Sequence, residues 1–140
     1  MQVFIVGSPL ETARALDPKR LNRQIQETKV ILAALNGAKA WSNHPCVLQY
    51  RGRKEWLRAY KECLEWYVRG DEGKALCASN LADYWRPMFH TEEYFSVMKS
   101  RLYTKDKEHY KQFAEYGTSE ENWYFVDGEW RKYVNGKRVE

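Results

Sequence analysis

Leu21, Ile25, Thr28, Leu32 and Leu35 recur at intervals of three and four, the spacing that lines one face of an α-helix. Asp17 and Pro18 supply a start, with Asp17 as N-cap and Pro18 at the first helical position. Asn36-Gly37 supplies a stop. The pattern predicts one amphipathic helix over residues 16–35. A second stripe, Trp56, Tyr60, Cys63, Leu64 and Tyr67, predicts a helix over about residues 51–69, ended by Gly70. A shorter helix follows over 74–84, and Arg86-Pro87 interrupts the chain. Thr91 is placed to cap a helix to about residue 103, and Thr104 another to about 116, closed by Gly117. Before all of these, Val3 to Val6 reads as a short strand or an anchored extended segment, broken by Gly7-Ser8-Pro9. Residues 41–45 read as a loop.

The tail changes character. Residues 123–126, 129–134 and 137–139 read as strands joined by Asp127-Gly128 and Asn135-Gly136, the dipeptides of tight hairpin turns. The fold class that results is mainly α: a single compact helical domain with a small C-terminal β-hairpin or meander. Residues 1–116 form the helical body, and 117–140 an aromatic, basic tail packed on the same domain.

Composition narrows the picture. A chain of 140 residues with 44% hydrophobic and 30% charged residues fits one folded domain with one core. Aromatics reach 15%, with six Trp and ten Tyr, which suits either a bulky core or stacking surfaces for bases. The net charge of +4 permits nucleic-acid binding without requiring it. Cys46, Cys63 and Cys77 are odd in number and form no C-x-x-C pair, so reduced thiols are expected. His44 and Cys46 lie two apart, but the remaining Cys and His lack zinc spacing; no metal and no cofactor are expected. No apolar run approaches the ~18 residues of a membrane span. Val3 to Val6 is too short for a signal peptide and no basic segment precedes it. The expectation is a cytoplasmic monomer without a membrane partner.

Candidate chemistry sits on the first long helix. Arg20, Arg23, Gln24 and Glu27 fall at i, i+3, i+4 and i+7 and share one edge beside the apolar stripe. Guanidinium groups present forked donors to phosphate oxygens, and a carboxylate moves protons or faces a developing cation. The same spacing fits a solvated face with an Arg23–Glu27 pair contributing a few tenths of a kcal/mol.

Motifs in order across the chain add a resemblance. Leu16-Asp17-x-x-Arg20-Leu21-x-x-Gln24-x-x-Glu27 is similar to the first helix of the pyrimidine-dimer DNA glycosylases. Trp41-x-Asn43-His44-Pro45 with Tyr50-Arg51-Gly52 resembles their cellular members. Glu55-Trp56-Leu57-Arg58 through Arg69-Gly70 resembles the second long helix, and Ser100-Arg101-Leu102-x-x-Lys105-Asp106-x-x-His109-Tyr110 a later one. The tail Trp130-x-Lys132-Tyr133-x-x-Gly136-Lys137 is similar to the family's aromatic C-terminus with one residue inserted.

The resemblance implies a metal-free DNA repair glycosylase with abasic-site lyase activity on damaged double-stranded DNA. In that family the N-terminal α-amine attacks C1′ of the damaged nucleotide. A Schiff base forms, the base leaves, and β-elimination nicks the strand. An α-amine titrates near ~7.7–8.0 against ~10.4 for lysine, so more of it is nucleophilic at neutral pH. The family's catalytic Glu falls on Glu27. The bulky Gln2 is expected to keep Met1 in place, which makes the Met1 amine the implied nucleophile; Lys19 and Lys29 are the fallback amines. Arg20, Arg23 and Gln24 are expected around the sugar and its phosphates. His44, Arg51, Arg53, Lys132 and Lys137 are expected to contact DNA, with Trp130 and Tyr133 beside the last two. His44 also suits a helix cap, and Trp56, Trp66 and Tyr67 suit core. Two other functions remain open on the residues: a non-catalytic nucleic-acid-binding protein of the same fold, and a protein-interaction module suggested by the aromatic tail.

Overall fold

Residues 1–139 are described by a computed structural model of the chain. Its helices, among the described residues, are α1 (Pro9–Ala15), α2 (Pro18–Leu35), α3 (Pro45–Gln49), α4 (Lys54–Val68), α5 (Glu72–Tyr84) and α6 (Glu92–Lys105), followed by a 3-10 helix (Lys111–Tyr116). Strands β1 (Asn122–Val126), β2 (Glu129–Val134) and β3 (Lys137–Val139) close the chain. The molecule is mainly helical, as the periodicity predicts.

α2 starts where expected. The Asp17 side chain accepts from the Arg20 N–H, which satisfies one of the free donors of the first turn. Leu16, however, belongs to the end of α1 rather than the start of α2. α1, seven residues long, does not show in the hydrophobic pattern. Gly7-Ser8-Pro9 breaks the extended segment and also begins a helix. Ser8 Oγ accepts from the Glu11 N–H while a Glu11 oxygen accepts from the Ser8 N–H, a reciprocal capping box. α3 was missed for a similar reason: at five residues it is too short to show a period. It is capped by His44, whose Nδ1 accepts from the Cys46 N–H at 3.1 Å.

The helix expected over 104–116 is corrected. α6 runs through Thr104 to Lys105, and only 111–116 recover helical form, as 3-10. Thr104 does not cap. Its hydroxyl donates to the Ser100 carbonyl at 2.8 Å and accepts from the Ser119 N–H at 2.8 Å, fastening the strand-bound loop to α6.

The sheet has order β1-β2-β3, antiparallel throughout, with Asn122 opposite Tyr133 and Val126 opposite Glu129. Both turns have two residues at positive φ: Asp127 (54°) with Gly128 (78°), and Asn135 (51°) with Gly136 (77°). That is the type I′ geometry that matches strand twist. Gln49 on α3 docks the sheet, its Oε1 accepting from the Phe125 N–H at 2.9 Å.

The N-terminal segment is the least ordinary part. Val3 and Ile5 are fully buried and Val6 nearly so, yet the segment joins no sheet. It threads between α2, α6 and β1. Around it lie fully buried aromatics: Trp56 is stacked between Tyr50 (5.5 Å) and Tyr60 (4.9 Å). Trp66 and Tyr67 are only half-buried, and Arg69 and Lys74 cover the Trp66 ring. All three cysteines are free thiols.

Candidate active site

Gln24 decides where the N-terminus lies. Its Oε1 accepts from the Phe4 N–H at 2.6 Å and its Nε2 donates to the Gln2 carbonyl at 2.9 Å. The carboxamide thus stands in for a neighbouring strand, serving the backbone on both sides of Val3. Tyr60 donates to the same Oε1 at 2.9 Å, which fixes the amide's orientation. Gln24 is consequently buried, and its amide is engaged by the chain itself.

One turn further along α2 stands Glu27. The Gln2 N–H, on the peptide that follows Met1, donates to Glu27 Oε2 at 3.5 Å. The Gln2 side chain is buried too: its Oε1 accepts from the Val3 N–H and from Tyr94, and its Nε2 donates to the Trp123 carbonyl. From β1, the Tyr124 hydroxyl donates to the Met1 carbonyl at 2.9 Å. Met1 and Glu27 therefore line one cleft of about 170 Å³.

Four cations ring that cleft. Arg20 and Arg23 come from α2, as the helical spacing predicts; Arg101 and Lys105 come from α6. Arg20 is held by Asp17 at 3.0 Å. Burial opposes ionisation of Asp17, but hydrogen bonds from Tyr110 and Arg20 outweigh it and keep the carboxyl below its ordinary range. Arg101 is buried; it donates to the Ser119 carbonyl at 3.2 Å and lies 3.7 Å from Glu120. Its Nε–H is buried without a partner among the described residues. Lys105 stands at the rim above the Phe4 ring, 5.7 Å from its centroid. Partial burial and then the neighbouring charges of Arg101 and Arg20 lower its pKa, with Glu27 opposing. Phe4 and Asn122 complete the lining.

The remaining residues singled out in the sequence are spread elsewhere. His44 lies outside the cleft, beneath the N-terminus, and burial and the N-terminal charge lower its pKa. Arg51 and Arg53 line a different groove, shared with Phe125 and Asp127. Arg53 also donates to the Gln49 and Arg51 carbonyls. Lys132 covers the Trp123 ring at 4.4 Å, and Lys137 is exposed on β3 beside the Asn135-Gly136 turn. Lys19 and Lys29 are exposed and line no part of the cleft. The sequence pattern alone gives Arg101 and Lys105 no role, although both belong to the Ser100–Tyr110 motif. Their i, i+4 spacing places both on one face of α6, a signal that becomes specific only once that face is known to line the same cleft as α2.

Among the described residues no group of three or more His, Cys, Asp or Glu is arranged to hold a metal ion. No described helix is long and apolar enough to cross a membrane.

A small helical body with a carboxylate inside a ring of guanidinium and ammonium groups defines a class: a protein whose site suits a phosphate-bearing polymer. The family assignment is narrower. The family model described as pyrimidine dimer DNA glycosylase matches residues 1–78, more than half of the chain, and the chain belongs to that family. The matched segment carries Met1, Arg20, Arg23, Gln24 and Glu27, while Arg101 and Lys105 fall beyond it. No curated protein and no solved structure matches the chain significantly.

Proposed function

We propose that this DNA glycosylase also cleaves abasic sites, through a Schiff base between the Met1 amine and C1′ of the damaged nucleotide. The observation that carries the proposal is the hydrogen bond from the Gln2 N–H to Glu27, which ties the peptide beside the amine to the one carboxylate of a cationic cleft.

The chemistry assigns each group a task. The unprotonated Met1 amine attacks C1′, the glycosidic bond breaks, and the base leaves with a proton. Glu27 faces the cationic sugar and the iminium that follows, and accepts the C2′ proton as the 3′ phosphate is eliminated. Arg20, Arg23 and Arg101, with Lys105 at the rim, hold the flanking phosphates. Gln24 acts at one remove, by fixing the segment that ends in the amine. Lys132 and Lys137 extend the contact along the sheet, and Arg51 and Arg53 do so from the second groove.

Incubation with abasic-site duplex DNA and borohydride tests the reading. The expected result is one covalent adduct that maps to Met1. Absence of an adduct under conditions where the DNA is bound would overturn it.

A further inference from the structure

The Asp106-x-x-His109-Tyr110 stretch of the later motif has no task in the function above. It forms a turn directly after Lys105, the last residue of α6. Asp106 closes that turn: its carboxylate accepts from the His109 N–H and its carbonyl from the Tyr110 N–H, both at 3.0 Å. The His109 ring donates through Nε2 to the Ala15 carbonyl at 3.3 Å, which ties the turn to the end of α1. The Tyr110 side chain is fully buried and its ring lies parallel to that of Phe113, with centroids 6.1 Å apart. A short, well-fastened turn thus delivers one hydroxyl to a fixed place.

That place is the start of α2. The Tyr110 hydroxyl accepts from the Asp17 N–H at 3.0 Å and donates to Asp17 Oδ1. Both carboxylate oxygens of Asp17 then serve Arg20: Oδ2 accepts from its backbone N–H at 3.3 Å, and Oδ1 from its Nη1 at 3.0 Å. The Arg20 guanidinium carbon also lies 5.9 Å from the centre of the Tyr110 ring. Arg20 lines the cationic cleft, whereas Asp17 and Tyr110 do not. Asp17 engages Nη1 alone. Nε and Nη2, the edge that grips phosphate oxygens in pairs, meet no partner among the described residues.

We propose that Tyr110 is a positioning residue: acting through Asp17, it holds the Arg20 guanidinium in the pose that receives a DNA phosphate. The inference rests on the function proposed above, in which Arg20 holds a flanking phosphate. A long arginine side chain loses rotamer freedom when it grips an anion, and that loss weakens binding. Here the loss falls on folding instead, because Asp17 already restrains the side chain. Asp17 can do so only while its own carboxylate is fixed, and Tyr110 bonds both to that carboxylate and to the Asp17 N–H. The segment from Arg101 to Tyr110 therefore serves the cleft twice: with two cations of its own, and by setting a third on α2.

A double-mutant cycle on DNA affinity tests this. The probe is a duplex carrying a reduced abasic site, which has no aldehyde and so forms no Schiff base; fluorescence anisotropy reads its Kd. Tyr110→Phe keeps the buried ring and removes only the hydroxyl. It is expected to raise Kd about 2- to 12-fold, the effect of ordering one long side chain on binding. In an Arg20→Ala background the same substitution is expected to change Kd by less than about 2-fold. Tyr110 is buried and the substitution changes no charge, so an effect that vanishes with Arg20 travels through Arg20. Equal losses in both backgrounds would give Tyr110 a purely structural role and overturn the proposal, as would no loss in either. Circular dichroism checks the fold of each variant. Where Tyr110→Phe does not fold, Asp17→Glu, which keeps the charge and displaces the carboxylate by one methylene, carries the same cycle. Borohydride trapping on unreduced abasic DNA tests the function separately: failure of the wild-type protein to trap brings down that reading, and absence of coupling brings down this one.

Discussion

Among individual residues, Gln24 and Glu27 show how one helix edge holds two different jobs. Gln24 faces inward and satisfies the Phe4 N–H, the Gln2 carbonyl and the Tyr60 hydroxyl. Gln24→Leu leaves those three buried groups unpaired, each costing about 1–3 kcal/mol. The expected loss of stability is at least ~3 kcal/mol, measured by urea denaturation. Glu27 faces the cleft and accepts a long hydrogen bond from the Gln2 N–H. Glu27→Gln preserves that bond's acceptor, so folding and DNA binding should persist. Borohydride trapping should fall by about 100-fold or more, the usual weight of a positioned acid–base group. A trapping rate near wild type would remove Glu27 from the chemistry.

Whole elements set the distances between these groups. The N-terminal segment, α2 and α6 meet at the cleft, and β1 anchors Met1 through Tyr124. A segment so tightly enclosed leaves its first residue little freedom. Extending the chain before Met1 converts the amine to a peptide. The expected outcome is loss of the adduct with near wild-type DNA affinity, read by trapping and fluorescence anisotropy. Retained trapping, mapped to a lysine, would reassign the nucleophile. Charge at the cleft has its own signature. Arg23→Ala and Lys105→Ala, both at exposed positions, should each weaken DNA binding and reduce the salt slope by about 0.9. An unchanged slope would mean that the cation in question touches no phosphate.

For the molecule as a whole, the packing of the aromatic core creates a pH dependence. His90 is buried among Tyr50, Trp56, Phe89 and Tyr94, and its Nε2 pairs with the Tyr50 hydroxyl at 2.9 Å. Burial, then the charges of Arg86 and Arg53, pull its pKa from 6.5 down to about 3. Between those values the unfolded chain binds a proton that the folded chain refuses. Stability from this group is therefore complete above pH 6.5 and falls as pH drops toward 3. The slope contributed is at most ~1.4 kcal/mol per pH unit. Thermal melts between pH 7 and 4 should show a flatter dependence for His90→Phe than for wild type, whatever the variant's absolute stability.

The sequence by itself determined what depends on neighbours along the chain. The stripe from Leu21 to Leu35 and the Asp17 cap are local, and so are the two positive-φ turns. The family motif around Glu27 is local as well. Periodicity also put Arg20 and Arg23 on one edge. Short elements escaped it, because α1 and α3 draw their stability from caps and from packing rather than from helix propensity. Thr104 resembled a cap because its role is decided by Ser119, a residue that no local pattern connects to it. The cleft was beyond any local reading. Arg101 and Lys105 lie more than seventy residues from Glu27, and only the packing of α6 beside the N-terminal segment brings their charges to it. Tertiary structure likewise turned Gln24 inward. A polar residue is buried when a distant backbone uses its hydrogen bonds.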